Sequence, residues 1–116
     1  MKYSEWENWL IETGDDIIHK NAATGWQNLN NAEKLTYCLW VLDYGMRNAG
    51  DVQTAEDVFP QFQQEGESSA RQLGLSDVAA LFRSVQSLSQ QTYLEDFDEI
   101  CRSVSGALSA SESNGG

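Results

Sequence analysis

The side chains with chemical capacity in this chain are mostly carboxylates, and they fall into four groups. These are Glu5, Glu7, Glu12, Asp15 and Asp16; Asp51, Glu56 and Asp57; Glu65 and Glu67; and Glu95, Asp96, Asp98 and Glu99. Carboxylates can pass protons in pairs, bind hard cations, or offer negative charge to a cationic partner. A glycosidase-like pair is defined by separation across a cleft and cannot be picked out where carboxylates are abundant by composition. Calcium needs roughly six to eight oxygens in a shaped loop, and the run from Asp51 to Asp57 lacks the glutamate pattern that completes one. The third role fits the numbers best.

Nucleophilic chemistry has few candidates. His19 is the single histidine, and Cys38 and Cys101 are the 2 cysteines. A thiol nucleophile needs a base in hydrogen-bond reach and a partner for the oxyanion, yet both cysteines fall on apolar stripes, where a reduced thiol behaves as a small hydrophobe. A zinc site would have to draw on the same three residues. Gly45, Gly50 and Gly66 do not match a phosphate-cradling loop. The reading is therefore no catalytic residue, no cofactor and no metal. Trp6, Trp9, Trp26 and Trp40 are assigned to the core, where tryptophan at helical spacing usually belongs, in preference to a ligand pocket.

Charge narrows the partners. The 18 Asp and Glu against 7 Lys and Arg leave a formal net charge of −11 over 116 residues. Such a field repels nucleic acid and anionic membranes, because binding to a phosphate backbone depends on Lys and Arg releasing counterions. An attracted partner is basic, which includes proteins that themselves bind DNA. The longest apolar run, Tyr37 to Leu42, is far short of the ~20 residues that span a bilayer. The acidic N-terminus carries no secretory pattern, so cytoplasmic residence with reduced cysteines is expected.

These groups need elements to position them, and the central one is the stretch from Lys34 to Met46. Leu35, Cys38, Leu39, Leu42 and Met46 follow helical spacing, while Tyr37, Trp40, Val41 and Tyr44 make the other side apolar or amphipathic. A helix apolar nearly all round is a buried helix. The expectation is an all-α fold: a compact bundle of about six helices around a buried central helix at about 31–47, which Asn30 or Asn31 caps with Glu33 in its first turn.

The other helices follow from local signals. Ser4 and Glu7 make a capping pattern for a first helix, which either ends at Gly14 or passes through it toward Lys20; passage is favoured because the stripe of Trp6, Trp9, Leu10, Thr13 and Ile17 stays in phase. Asn21 to Asn31 reads as a connection anchored by Trp26 and Leu29. Thr54 with Asp57 signals the cap of a short helix, Pro60 fits the first turn of the next, and Gly74 ends it. Ser76 and Asp77 open a helix with Val78, Leu81, Phe82, Val85 and Leu88 on one stripe. A last helix starting near Thr92 carries Leu94, Phe97, Ile100, Cys101, Val104 and Leu108. One domain over 1–108 and a disordered tail over 109–116 complete the expectation.

Taken together, Gly25-Trp26-Gln27-Asn28-Leu29, Glu33-Lys34, Tyr37, Trp40, Asp43 and Met46-Arg47-Asn48-Ala49-Gly50 resemble the small helical domain of the DMP-type DNA-mimic proteins and their uncharacterised relatives. In that family an aromatic after a glycine leads into a Trp-rich helix that ends in an Asn-Gly-Gly-Phe turn. The run Ala70 to Leu81 is similar to the family's helix, glycine-containing break and second helix. The likeness covers roughly Gly25 to Val104. The turn departs from it, reading Asn48-Ala49-Gly50-Asp51. The resemblance implies an all-α fold and a precedent for binding a DNA-binding protein through acidic side chains that replace phosphates.

The expected function is that of a non-enzymatic acidic domain that inhibits or regulates a basic, nucleic-acid-binding protein. Its binding surface is drawn from the fourteen carboxylates named above. Two alternatives stand beside it: an immunity protein neutralising a basic toxin domain, and an enzyme with an unrecognised carboxylate site. The sequence leaves the oligomeric state and the role of the Asn48–Asp51 turn open.

Overall fold

In a computed structural model that describes residues 4–114, the apolar stretch forms the middle of α2 (Asn31–Asn48). Ala32, Leu35, Cys38, Leu39, Val41, Leu42 and Met46 are all buried along it. Asn30 caps the helix in a reciprocal box: its side chain accepts from Glu33 N–H at 2.8 Å, and Glu33 Oε1 accepts from Asn30 N–H at 2.9 Å. Thr36, buried on the same helix, returns its hydroxyl to Ala32 O at 2.8 Å, so burying it leaves no orphaned donor.

The remaining helices are α1 (Glu5–Thr24), α3 (Val52–Val58), α4 (Phe62–Gln72), α5 (Ser76–Arg83) and α6 (Gln90–Asn114), with no strand among the described residues. α2 packs against α1, α3, α4 and α6, and α4 carries α5 on its other side. The all-α bundle around a buried rod is thus present. Its radius of gyration, 13.1 Å, is close to the roughly 13 Å of a compact chain of this size.

Helix α1 does run through Gly14, which is buried. A Cβ there would lie 2.4 Å from Trp40 Cδ1, so the missing side chain is what lets α1 close on α2. Gly45 works the same way further along: a Cβ would meet Asp51 O at 2.8 Å and Ala55 N at 2.9 Å, where α3 crosses. Gly50, at φ +72°, then turns the chain, and Gln90 reaches back to donate to Met46 O at 2.7 Å.

Several local expectations change. The cap of α3 is Asp51, accepting from Thr54 N–H at 3.0 Å, and not Thr54. Pro60 lies before α4, whose N-cap is Gln61. α5 ends at Arg83, and the rest of its stripe falls on a short 3-10 turn at Val85–Ser87 and on Leu88, which caps that turn. The buried stripe of α6 begins at Tyr93, fully buried, and not at Leu94, which is 41% exposed. The tail expected over 109–116 is helical as far as Asn114, with Ser111 Oγ donating to Leu108 O at 2.8 Å; residues 115–116 lie outside the described residues. The reason is that Ala, Ser and Glu tolerate a helix once a long packed one is already nucleated.

All four tryptophans pack on the core without being fully buried. Tyr37 meets Trp26 and Phe59 edge to face with centroids 5.4 Å apart, Trp26 and Phe59 lie tilted to each other at 5.2 Å, and Trp40 stacks on Tyr44 at 5.9 Å. They form a shell around the aliphatic centre, as expected for side chains too large to be enclosed on every side.

Candidate functional site

Of the 7 Lys and Arg, Lys2 lies outside the described residues and each of the others is already engaged. Lys20 pairs with Glu33 at 2.7 Å, Arg83 with Glu67 at 3.2 Å, Arg71 with Glu67, and Arg102 with Glu99. Lys34 stands over the Trp26 ring, 5.7 Å from its centroid. Arg47 is half-buried: it donates to Asp43 Oδ1 at 3.1 Å, meets Glu7 Oε1 at 3.5 Å, and lies 4.6 Å from the centre of Phe97. Burial works against the charge of Arg47, but the Asp43 hydrogen bond and the Asp43 and Glu7 carboxylates outweigh it and raise its pKa.

The fourteen candidate carboxylates therefore divide. Glu7 and Glu67 are half-buried and serve internal ion pairs, and Asp51 is spent on its cap. Glu56 accepts from Gln86 at 2.7 Å, Asp57 from Gln53 at 3.1 Å, and Glu95 from Gln91 at 3.1 Å. Asp15 lies 3.6 Å from His19. Glu65 is half-buried, and its charge, after burial itself, raises the pKa of Cys38. Glu5, Glu12 and Asp16 are exposed on α1, and spacings of seven and four residues set them on one stripe. Asp96, Asp98 and Glu99 are exposed on α6.

One place brings carboxylates from two helices to a shared concavity. Asp77, Val78 and Leu81 of α5 face Asp96, Glu99, Ile100 and Ser103 of α6 across a groove of about 350 Å³. Val78 and Ile100 are buried and Leu81 half-buried, so the floor is apolar while the three acids stand exposed at the rim. A shallower extension of about 150 Å³ runs toward Gly74, Leu75 and Ser76. The sequence reads Asp77 only as a helix-opening residue. Its place on the rim depends on how α5 lies against α6, which no local signal encodes.

The nucleophile candidates are not assembled. His19 is exposed, with Nδ1 2.9 Å from Asp15 O of its own helix, while Cys38 and Cys101 are both free and buried. Burial, then the charges of Asp43 and Asp98, push the Cys101 thiol up to about 12. Among the described residues no three His, Cys, Asp or Glu side chains gather closely enough to hold a metal ion.

Against family models, curated proteins and solved structures, the chain finds no match. No helix among the described residues is long and apolar enough to cross a membrane.

Proposed function

We propose that this chain is a non-enzymatic acidic binding domain that inhibits or regulates a basic, DNA-binding protein by occupying the surface that would otherwise hold phosphates. The observation that carries this reading is the commitment of the described cations. Each is held by a carboxylate or an aromatic ring of the chain itself, so the surplus negative charge faces outward without local compensation. The stripe Glu5, Glu12 and Asp16 and the acids of α6 present that charge on rigid helices, which suits recognition of a fixed pattern of Lys and Arg. The resemblance of Gly25 to Val104 to the DNA-mimic domains points the same way.

The test is affinity capture from host lysate at low salt, eluted with a salt gradient and repeated with added duplex DNA. A single basic DNA-binding protein that elutes early in the gradient and is displaced by DNA supports the reading, since exposed charge pairs are screened by salt. A captured toxin domain indifferent to DNA would make the chain an immunity protein. Affinity that does not change with salt would remove the electrostatic basis altogether.

A further inference from the structure

We propose that the groove between α5 and α6 receives an arginine side chain of the basic partner. Its aliphatic stem would lie on Val78, Leu81 and Ile100 and its guanidinium between the carboxylates of Asp77 and Asp96. The inference rests on the reading above and gives it a location.

Three features of the groove, together with the shape of a guanidinium, select this occupant. An apolar floor beneath a charged rim fits a side chain that is itself apolar along its stem and charged at its tip, which describes Arg and Lys and few other groups. The volume, about 350 Å³, is at the small end of the ~300–1,000 Å³ range of ligand sites, suited to inserted side chains and not to a whole element. The rim acids come from two helices and do not converge tightly enough to share a metal ion. A planar guanidinium, with five donors in a fixed fork, can bridge separated carboxylates where a point charge cannot.

The rim is also available. Among the described residues Asp77 and Asp96 have no ion pair, and Glu99 is held only by Arg102 in a pair whose side chains are 79% and 60% exposed. Such an exposed surface pair contributes little to stability. Arg102 lies one helical turn from Glu99, so the chain itself already sets a guanidinium beside this rim.

The experiment follows backbone amide resonances of the isotopically labelled chain at low salt. Three synthetic peptides of equal length are titrated in: one alternating Leu and Arg, one alternating Leu and Lys, and one alternating Gly and Arg. The Leu/Arg peptide is expected to shift the amides around Val78, Leu81, Ile100 and Ser103 and to bind about fivefold or more tighter than either of the others. Replacing Asp77→Asn together with Asp96→Asn should weaken it about tenfold or more. Glu12→Gln with Asp16→Asn on α1 should change it less than about twofold. All four positions are exposed, and an unchanged melting temperature verifies that each variant is folded.

Equal binding of all three peptides, with shifts spread over α1 and α6 alike, overturns the groove while leaving the acidic-surface reading standing. Failure of every peptide to bind overturns both. Groove shifts that appear on concentrating the chain alone, or on adding calcium chloride alone, would assign the site to a second copy or to a cation and overturn the arginine inference.

Discussion

Tyr93 donates its hydroxyl to Asp43 Oδ1 at 2.6 Å, tying the first turn of α6 to the middle of α2. The same carboxylate accepts from Arg47, so one half-buried acid holds a neutral and a cationic donor together. Tyr93→Phe keeps the ring and removes the donor. A hydrogen bond to a charged group contributes about 1.5–3 kcal/mol, and a loss in that range is expected from urea denaturation at pH 7. A variant as stable as the parent would mean that Arg47 alone satisfies Asp43.

Alkali should weaken the fold in part through the same region. Burial, then the charge of Asp43 and its hydrogen bond, raise the Tyr93 pKa well above 10.0, and Cys101 is raised from 9.0 to about 12. Their folded-state values lie above the unfolded ones, so their contribution is complete below pH 9. It declines as pH rises, because the unfolded chain gives up protons that the folded one keeps. Each group accounts for up to about 1.4 kcal/mol per pH unit within its window. Denaturation under reducing conditions from pH 7 to 10.5 should show a flat region and then a fall. Cys101→Ala should start lower and fall less steeply above pH 9.

Gly14 and Trp40 form a coupled pair. Ala is intrinsically better in a helix than Gly by about 1 kcal/mol, but at this site its methyl meets Trp40 Cδ1 at 2.4 Å. Gly14→Ala is therefore expected to destabilise by about 1–3 kcal/mol. In a Trp40→Ala background, itself less stable by about 3 kcal/mol, the same change should become neutral or stabilising. A double-mutant cycle without that reversal would remove Trp40 as the reason for the glycine.

Caps discriminate between two polar residues three positions apart. Asp51→Ala should cost about 1 kcal/mol by freeing Thr54 N–H, whereas Thr54→Ala should stay within about 0.5 kcal/mol. The reverse order of thermal stabilities would restore Thr54 as the cap.

The sequence by itself determined the elements and the field around them. Periodicity of apolar residues set the central helix and the core stripes, because a buried face must repeat at the helical period. Asn30 with Glu33 marked the start of α2, since those side chains satisfy backbone groups only a few residues away. Net charge needs no structure at all. Tertiary structure decided what depends on residues far apart in the chain. Leu94 and Tyr93 are adjacent, and apolarity alone prefers Leu94. Tyr93 takes the core because Asp43, on another helix, receives its hydroxyl. Glu7 and Glu67 read as surface acids until Arg47 and Arg83 draw them into ion pairs across helices. Asp77 joins Asp96 and Glu99 only through the placement of α5 beside α6. A local pattern records which face of a helix is apolar, whereas the partner of a polar atom is chosen by packing over distances that no local pattern contains.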